Sequence, residues 1–176
     1  MKYDEQELLD AVFLKQSGES VHDVISRANM DASRSRYLLL KWRTREWYEF
    51  DDDIGLGKLT DKGKALAQDC ADKRDRSKRE LRVFLAQFNE AALGWQGVET
   101  VTVRIDYIKG SNVGELAGFV RVVFANGRKF SHVFTASQVR MASTPALLIS
   151  ELQQRIYGQM SATSAVGRDK VQEHGN

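Results

Sequence analysis

The stretch DASRSRYLLLKWRTREW, residues 31–47, decides the fold of the first half of this chain. Asp31 can cap a helix at its start, and four residues then share one face at spacing i, i+3, i+4 and i+7: Ser35, Leu38, Leu39 and Trp42. The same stretch holds five basic residues, with no acid between residues 32 and 45. The whole chain has 26 Lys and Arg against 24 Asp and Glu, so positive charge is concentrated on this predicted helix.

Periodicity around this stretch predicts the neighbouring elements. Apolar residues at helical spacing predict a helix over about 4–16, which Gly18 ends, and Ser20 can cap a second short helix. After residue 47, WYEF is typical of a strand, DDDIGLG of a turn and KLT of a short return strand, and DKGKALAQ restarts a helix. The predicted order is three helices, a hairpin and a further helix.

This order resembles the winged helix-turn-helix proteins over roughly residues 5–68, less than half of the chain. VHDVISRANMDASRSRYLLLKW resembles their second helix, turn and recognition helix, and LTDKGKALA resembles the Leu-Thr-x-x-Gly-x-x segment that closes the wing in many bacterial members. The chain departs from the pattern in two ways. The family often places a glycine where the recognition helix ends, whereas Arg45-Glu46-Trp47 runs straight on, and the wing tip at Asp51–Asp53 is acidic.

The resemblance implies that the predicted third helix enters the major groove of duplex DNA. Four residues would then reach base edges or phosphates: Ser33, Arg34, Tyr37 and Lys41. Three more would lie towards the DNA backbone: Arg36, Arg43 and Arg45. The alternative is that these residues form only the solvated face of an amphipathic helix, and some winged-helix domains bind protein alone.

The second half of the chain predicts a small antiparallel sheet. SKRELRVFLAQFNEAA has helical spacing, VETVTVRIDYI alternates as a strand does, and FVRVVF and KFSHVF flank Asn126-Gly127, which predicts a two-residue type I′ hairpin turn. Pro145 opens a last helix, which we expect Gly158 to stop. The order α-β-β-β-α resembles the double-stranded-RNA-binding domain, but the last helix lacks that domain's lysine-rich start, so a partner-binding or dimerising role is favoured.

A two-residue turn fixes which side chains of this hairpin share a face. Val123 would lie opposite Phe130, Arg121 opposite His132, and Phe119 opposite Phe134. We predict that this largely apolar face is the dimer or partner interface: Phe119, Arg121, Val123, Phe130, His132 and Phe134. The chain's own N-terminal domain could cover it instead, and an Arg and a His between aromatic rings could also stack on nucleotide bases.

Composition predicts how the chain is divided. We expect an α+β protein with an N-terminal winged helix-turn-helix domain at 1–70 and an α-β-β-β-α antiparallel-sheet domain at 79–160. DKRDRSKRELR has a single apolar residue and predicts a charged linker at 71–78. The segment 161–176 has few aliphatic residues and predicts a disordered tail.

Residues for catalysis or metal binding are sparse. The three histidines are far apart, and the single Cys70 excludes an intramolecular disulfide and a cysteine-based zinc site. GLGKLTDKG lacks the spacing of a phosphate loop, and Asp51–Asp53 would not complete a cation shell. We expect no enzyme activity, metal or cofactor. The start MKYDEQELLD lacks a signal-peptide pattern and no apolar run approaches ~20 residues, so a soluble, cytoplasmic protein without membrane contact is expected.

The sequence therefore predicts a transcription regulator with two domains. Its first domain would bind duplex DNA sequence-specifically, and its second would form a homodimer or contact another protein. The alternative is a protein-interaction module, such as an inhibitor or adaptor of host machinery, whose winged helix contacts protein. Small size and mixed charge would suit a phage or mobile-element product in either case.

Overall fold

The computed structural model describes residues 3–15, 18–51, 56–108 and 115–169 of an α+β chain. The elements are α1 (Tyr3–Phe13), α2 (Val21–Arg27), α3 (Ala32–Thr44), β1 (Tyr48–Asp51), β2 (Leu56–Leu59), α4 (Asp61–Leu93), β3 (Val98–Tyr107), β4 (Leu116–Phe124), β5 (Lys129–Thr135), α5 (Ala136–Met141) and α6 (Pro145–Asp169). They form two compact units. The N-terminal unit is Met1–Ser77 with Tyr107–Glu115, and the C-terminal unit is Lys78–Asp106 with Leu116–Asn176.

The N-terminal unit packs α1, α2, α3 and the antiparallel β1–β2 hairpin around one apolar core. Its buried members are Leu8, Leu9, Val12, Val21, Val24, Leu38, Trp42, Tyr48, Leu59 and Ala67. The predicted rotation of α3 is confirmed, because Ser35, Leu38 and Trp42 are buried and Leu39 is half-buried. The predicted caps are also confirmed, since Ser20 and Asp31 accept hydrogen bonds from backbone amides in the first turns of α2 and α3.

Helix α3 ends in a regular cap although the expected glycine is missing there. The amide of Trp47 donates to the carbonyl of Trp42 at 2.9 Å, and the amide of Glu46 donates to the carbonyl of Arg43 at 3.0 Å. These two bonds are a Schellman motif, which requires a left-handed residue. Glu46 supplies it with φ of 59°, so a side chain occupies the position where glycine is favoured.

Thr60 and Gly63 join the start of α4 to the end of α3. The Thr60 hydroxyl donates to the carbonyl of Glu46 at 2.7 Å and accepts from the amide of Gly63 at 3.1 Å. A β-carbon on Gly63 would overlap the carbonyl oxygen of Trp47. The Leu-Thr-x-x-Gly pattern therefore has a local cause, because only glycine lets α4 begin this close to the backbone after α3.

Gly63→Ala should destabilise the protein by about 1–3 kcal/mol, because the neighbour that it would meet is backbone and cannot turn away. Gly158→Ala is the matched control, since Gly158 is also helical and nothing lies within 4 Å of its β-carbon position. The control should be neutral or stabilising by about 0.5–1 kcal/mol, as alanine is favoured in a helix. Urea denaturation followed by tryptophan fluorescence measures both, and equal stability of the two variants would contradict the close packing at Gly63.

The segment 71–78, predicted to be a charged linker, lies inside the 33-residue helix α4. Lys73 and Asp69 form an ion pair at 2.7 Å at i, i+4 spacing, which supports a solvated helix. The stretch is exposed only in part, since Arg74 is half-buried and forms an ion pair with Asp10 of α1. The boundary between the two units still falls in this region, at Ser77 and Lys78.

The C-terminal unit packs helices against one face of an antiparallel sheet with strand order β3-β4-β5. Its buried core comes from α4, the strands and α6: Phe84, Leu85, Phe88, Ala92, Trp95, Val120, Val122, Phe124, Phe134, Ile149, Leu152 and Ile156. Val101, Val103 and Ile105 pack on this core, as their alternation predicts, whereas Tyr107 belongs to the N-terminal unit.

The predicted register of the β4–β5 hairpin is wrong by one residue. Gly127 donates its amide to the carbonyl of Phe124 at 2.8 Å and has φ of 80°, which gives a three-residue loop instead of the predicted two-residue turn. Val122 therefore pairs with Phe130, Val120 with His132, and Gly118 with Phe134. Because side chains alternate along a strand, this shift turns β5 over relative to the predicted pairing.

The last helix is longer than predicted. Gly158 does not stop α6, which continues to Asp169. One glycine costs a helix only about 1 kcal/mol relative to alanine, and the flanking turns outweigh that cost. Of the predicted disordered tail, residues 161–169 are helical, and the rest lies outside the described residues. Helix α5 was not predicted; Thr135 caps it through a reciprocal hydrogen-bonded box with Gln138.

Candidate macromolecule-binding surface on helix α3

Helix α3 presents a continuous exposed face with no acidic side chain. Its members recur at helical spacing: Ser33, Arg36, Tyr37, Leu40, Arg43 and Thr44. The face lies opposite the buried residues Leu38 and Trp42, so packing against α1 and the hairpin determines which side chains point outwards. We call this surface the α3 face.

Arg34 lies at the edge of the α3 face and is held by helix α1. Its Nε donates to Oδ2 of Asp4 at 2.6 Å, and its guanidinium lies over the Tyr37 ring at 5.3 Å. The hydrogen bond from Arg34 holds the pKa of Asp4 below its usual range. The positive charge of Arg34, predicted from the sequence to contact DNA, is thus balanced inside the unit.

Lys41 is held in the same way, by a carboxylate that is almost completely buried. Glu5 is 4% exposed, and its Oε1 accepts from Lys41 Nζ at 2.8 Å and from Trp42 Nε1 at 3.1 Å. Burial acts to raise the pKa of Glu5, but the hydrogen bonds from Lys41 and Trp42 outweigh it, so the pKa lies below the ordinary value of 4.5. Glu5 therefore stays ionised and ties α1 to α3.

Glu5→Gln should destabilise the protein at neutral pH by about 1–3 kcal/mol and reduce its loss of stability in acid. The sign follows from the lowered pKa: the contribution of the Glu5 carboxylate is present above the ordinary value of 4.5 and is lost as pH falls through the lower folded value. Thermal unfolding from pH 7 to pH 3 measures it.

Glu7→Gln is the matched control for Glu5→Gln, because Glu7 is exposed on the same helix and the charge change is identical. The control should follow the parent protein at every pH. If Glu7→Gln and Glu5→Gln behaved alike, the carboxylate bridge between α1 and α3 would have no role in stability.

The other basic residues of the stretch are not neutralised in this way. Among the residues that the structure describes, no ion pair involves Arg36, Arg43 or Arg45. The Arg45 guanidinium lies over the Trp47 ring at 4.9 Å, beyond the end of α3. Arg36 and Arg43 are therefore the two cations that the α3 face offers to a partner.

A groove of about 560 Å³ lies beside the α3 face, between α2, α3 and strand β1. We call it the α3 groove, and its lining residues are Val21, His22, Ile25, Ala32, Ser33, Arg36, Leu39, Leu40, Arg43, Tyr48 and Phe50. Leu40 is 54% exposed and Phe50 38% exposed, so large apolar side chains face solvent there. Leu40 and Phe50 were not among the predicted site residues, although their spacing from the basic residues is readable in the sequence.

Tyr48 lines the α3 groove, but its hydroxyl is buried against Gly57 of β2. The residue is 4% exposed, and its hydroxyl has no hydrogen-bond partner within the described part of the chain. Burial raises the pKa of this hydroxyl to about 12, and nearby Arg43 lowers it slightly. The hydroxyl therefore stays protonated at neutral pH and remains able to donate.

The residues predicted to form the interface of the C-terminal unit do not share a face. Phe130, His132 and Phe134 lie on the core side of β5, where His132 packs edge-on against Phe134 at 4.7 Å. Burial, and then the charge of Arg155, lower the pKa of His132. The remaining three lie on the opposite side of the sheet: Phe119, Arg121 and Val123.

Three further predictions concern the acidic wing tip, metal binding and membrane contact. The acidic wing tip at Asp52 and Asp53 lies outside the described residues. Within the described ranges, no cluster of three or more His, Cys, Asp or Glu could hold a metal ion. None of the described helices combines the length and apolarity needed to cross a bilayer.

Comparison with known proteins identifies no relative. No protein-family model matches the chain, and searches of curated proteins and of solved structures gave no significant match.

Proposed function

We propose that this protein is a sequence-specific duplex-DNA-binding transcription regulator whose N-terminal unit is a winged-helix domain. The observation that carries the proposal is the α3 face, which holds Arg36 and Arg43 with no acid among its residues. An exposed helix that serves only for solubility usually mixes charges of both signs. The order of three helices followed by a hairpin supports the assignment, because in this motif the third helix enters the major groove.

The structure changes which residues we assign to DNA. Arg34 and Lys41 are left out, because Asp4 and Glu5 already hold them. In helix-turn-helix docking the N-terminal part of the recognition helix contacts base edges, which favours Ser33, Arg36 and Tyr37 for that role. Leu40 can contact a thymine methyl group. Arg43 and Arg45, near the end of α3, are assigned to phosphates.

Arg36→Ala should lower affinity for a preferred duplex by about 5- to 150-fold, the equivalent of about 1–3 kcal/mol, and relax base preference, because an arginine–guanine contact would be lost. Arg43→Ala should weaken all duplexes similarly and reduce the slope of log affinity on log salt by about 0.9, as expected for one phosphate contact. Fluorescence anisotropy measures both, with duplexes of about 30 base pairs from a random pool before and after selection for binding.

Arg82→Ala is the matched control for the DNA experiment, because Arg82 is an exposed arginine on α4 in the C-terminal unit. It should bind both pools like the parent protein. DNA binding through the α3 face would be refuted if the parent bound neither pool at low salt, or if Arg36→Ala and Arg43→Ala bound as tightly as Arg82→Ala.

We also propose that the protein is a homodimer through the outer face of its C-terminal sheet. That face carries Phe119, Val123 and Val133, which are half-buried, and the guanidinium of Arg104 lies over the Phe119 ring at 4.7 Å. The helices α4 and α6 pack on the other face. A two-fold contact would cover this surface and pair two recognition helices on a palindromic site.

Light scattering at tens of micromolar protein should then give twice the chain mass of 19.9 kDa. Val123→Asp should return the protein to the monomer mass, because a charge would enter the apolar contact. Val83→Asp, at an exposed valine on α4, should leave the dimer intact. A parent protein that scatters as a monomer would exclude the dimer at this concentration, and a dimer that survives Val123→Asp must use another surface.

A further inference from the structure

The α3 groove is lined by apolar side chains that DNA binding alone does not require. Val21, Ile25 and Leu39 line it together with the solvent-exposed Leu40 and Phe50. Its volume of about 560 Å³ falls within the range of roughly 300–1,000 Å³ that is typical of ligand sites. Apolar side chains of an occupant would gain from leaving water on this apolar lining, whereas a phosphate backbone would not.

The charged groups around this apolar lining favour an occupant with negative charge. Arg36 and Arg43 line the α3 groove, and none of its eleven described lining residues is acidic. Neither arginine takes part in an ion pair within the described part of the chain, so both remain available for carboxylates. Charge complementarity therefore favours Asp and Glu over Lys and Arg beside the apolar anchors.

The Tyr48 hydroxyl is not part of this recognition. It is buried against Gly57 of β2, where a β-carbon would overlap it, so an occupant of the α3 groove would not reach it.

We propose that the α3 groove binds a short amphipathic segment of another protein, with large apolar side chains flanked by Asp or Glu. The apolar side chains pack on Leu39, Leu40 and Phe50, and the acids pair with Arg36 and Arg43. This is the groove-binding mode of recognition, in which a few anchors provide affinity and the flanking charges provide selectivity.

Binding of this segment would exclude duplex DNA from the α3 face, since Arg36, Leu40 and Arg43 belong to both surfaces. The exclusion of DNA rests on the proposed function, whereas binding of the protein segment to the α3 groove does not. An acidic partner would then act as a regulator that releases the protein from DNA.

The test uses the full chain and three fluorescein-labelled peptides of about 15 residues. The first carries Leu, Trp and Phe on one helical face and Glu elsewhere, the second replaces every Glu by Lys, and the third replaces the apolar residues by Ala. Fluorescence anisotropy without DNA should show binding of the first peptide, with affinity at least about tenfold above that of the other two.

Leu40→Asp should reduce affinity for the first peptide by about tenfold or more, because it places an acid in the apolar lining at an already exposed position. Leu147→Asp is the matched control, since Leu147 is 48% exposed in the C-terminal unit and receives the same substitution. It should bind the peptide like the parent protein.

Three results would overturn the inference. The first is equal affinity for all three peptides, or no binding up to about 1 mM. The second is an unchanged affinity of Leu40→Asp. The third is a parent dimer that Leu40→Asp dissociates, which would place a second copy of the chain in the groove.

The same samples separate this inference from the proposed function. A protein that binds the duplex pools and no peptide refutes only the groove site. A protein that binds the acidic peptide and no duplex refutes only the DNA proposal. If both bind, unlabelled acidic peptide should displace labelled duplex, and a ternary complex would refute the exclusion step alone.

Discussion

The hydrogen bonds of Glu5 to Lys41 and Trp42 determine which side of helix α3 is free. A buried carboxylate must be paired, so α3 can settle on α1 only in the rotation that brings both donors to Oε1. That rotation buries Trp42 and commits Lys41 to an internal ion pair. The residues of the α3 face, including Arg36 and Arg43, are then the ones that remain outside. The composition of the candidate binding surface thus depends on an acid on a different helix.

Helical periodicity predicted the buried face of α3 correctly, because four apolar or small residues define one side of a helix without help from the rest of the fold. It could not distinguish among the basic residues. Nothing in the sequence marks Arg34 rather than Arg36 as the paired residue, yet Arg34 meets an acid, 30 residues earlier at Asp4. Such pairing depends on how α1 and α3 cross, and the period of one helix carries no information about that.

The β4–β5 hairpin and the long helix α4 are two other places where the sequence pattern did not predict the structure. Asn-Gly predicted a two-residue turn, but Ala125, Asn126 and Gly127 form a three-residue loop, and pairing shifts by one. Burial of the apolar side chains outweighed the preference of the turn. The observed register places Phe130 and Phe134 on the same face as Val120 and Val122 and leaves Arg121 exposed. In α4, the polar composition of 71–78 did not predict a helix, because charged residues are compatible with a helix when they are paired along it or with a neighbouring helix, as Arg74 is with Asp10 of α1.

The two ligands proposed for α3 make different physical demands on the same few residues. Duplex affinity comes mainly from released counterions and therefore falls steeply with salt. A groove-bound segment gains most of its affinity from apolar contact with Leu40 and Phe50, which salt does not weaken. Rising ionic strength would thus shift competition for Arg36 and Arg43 towards the protein segment. A surface that combines an apolar lining with unpaired arginines suits this exchange, since neither ligand can satisfy both parts while the other is bound.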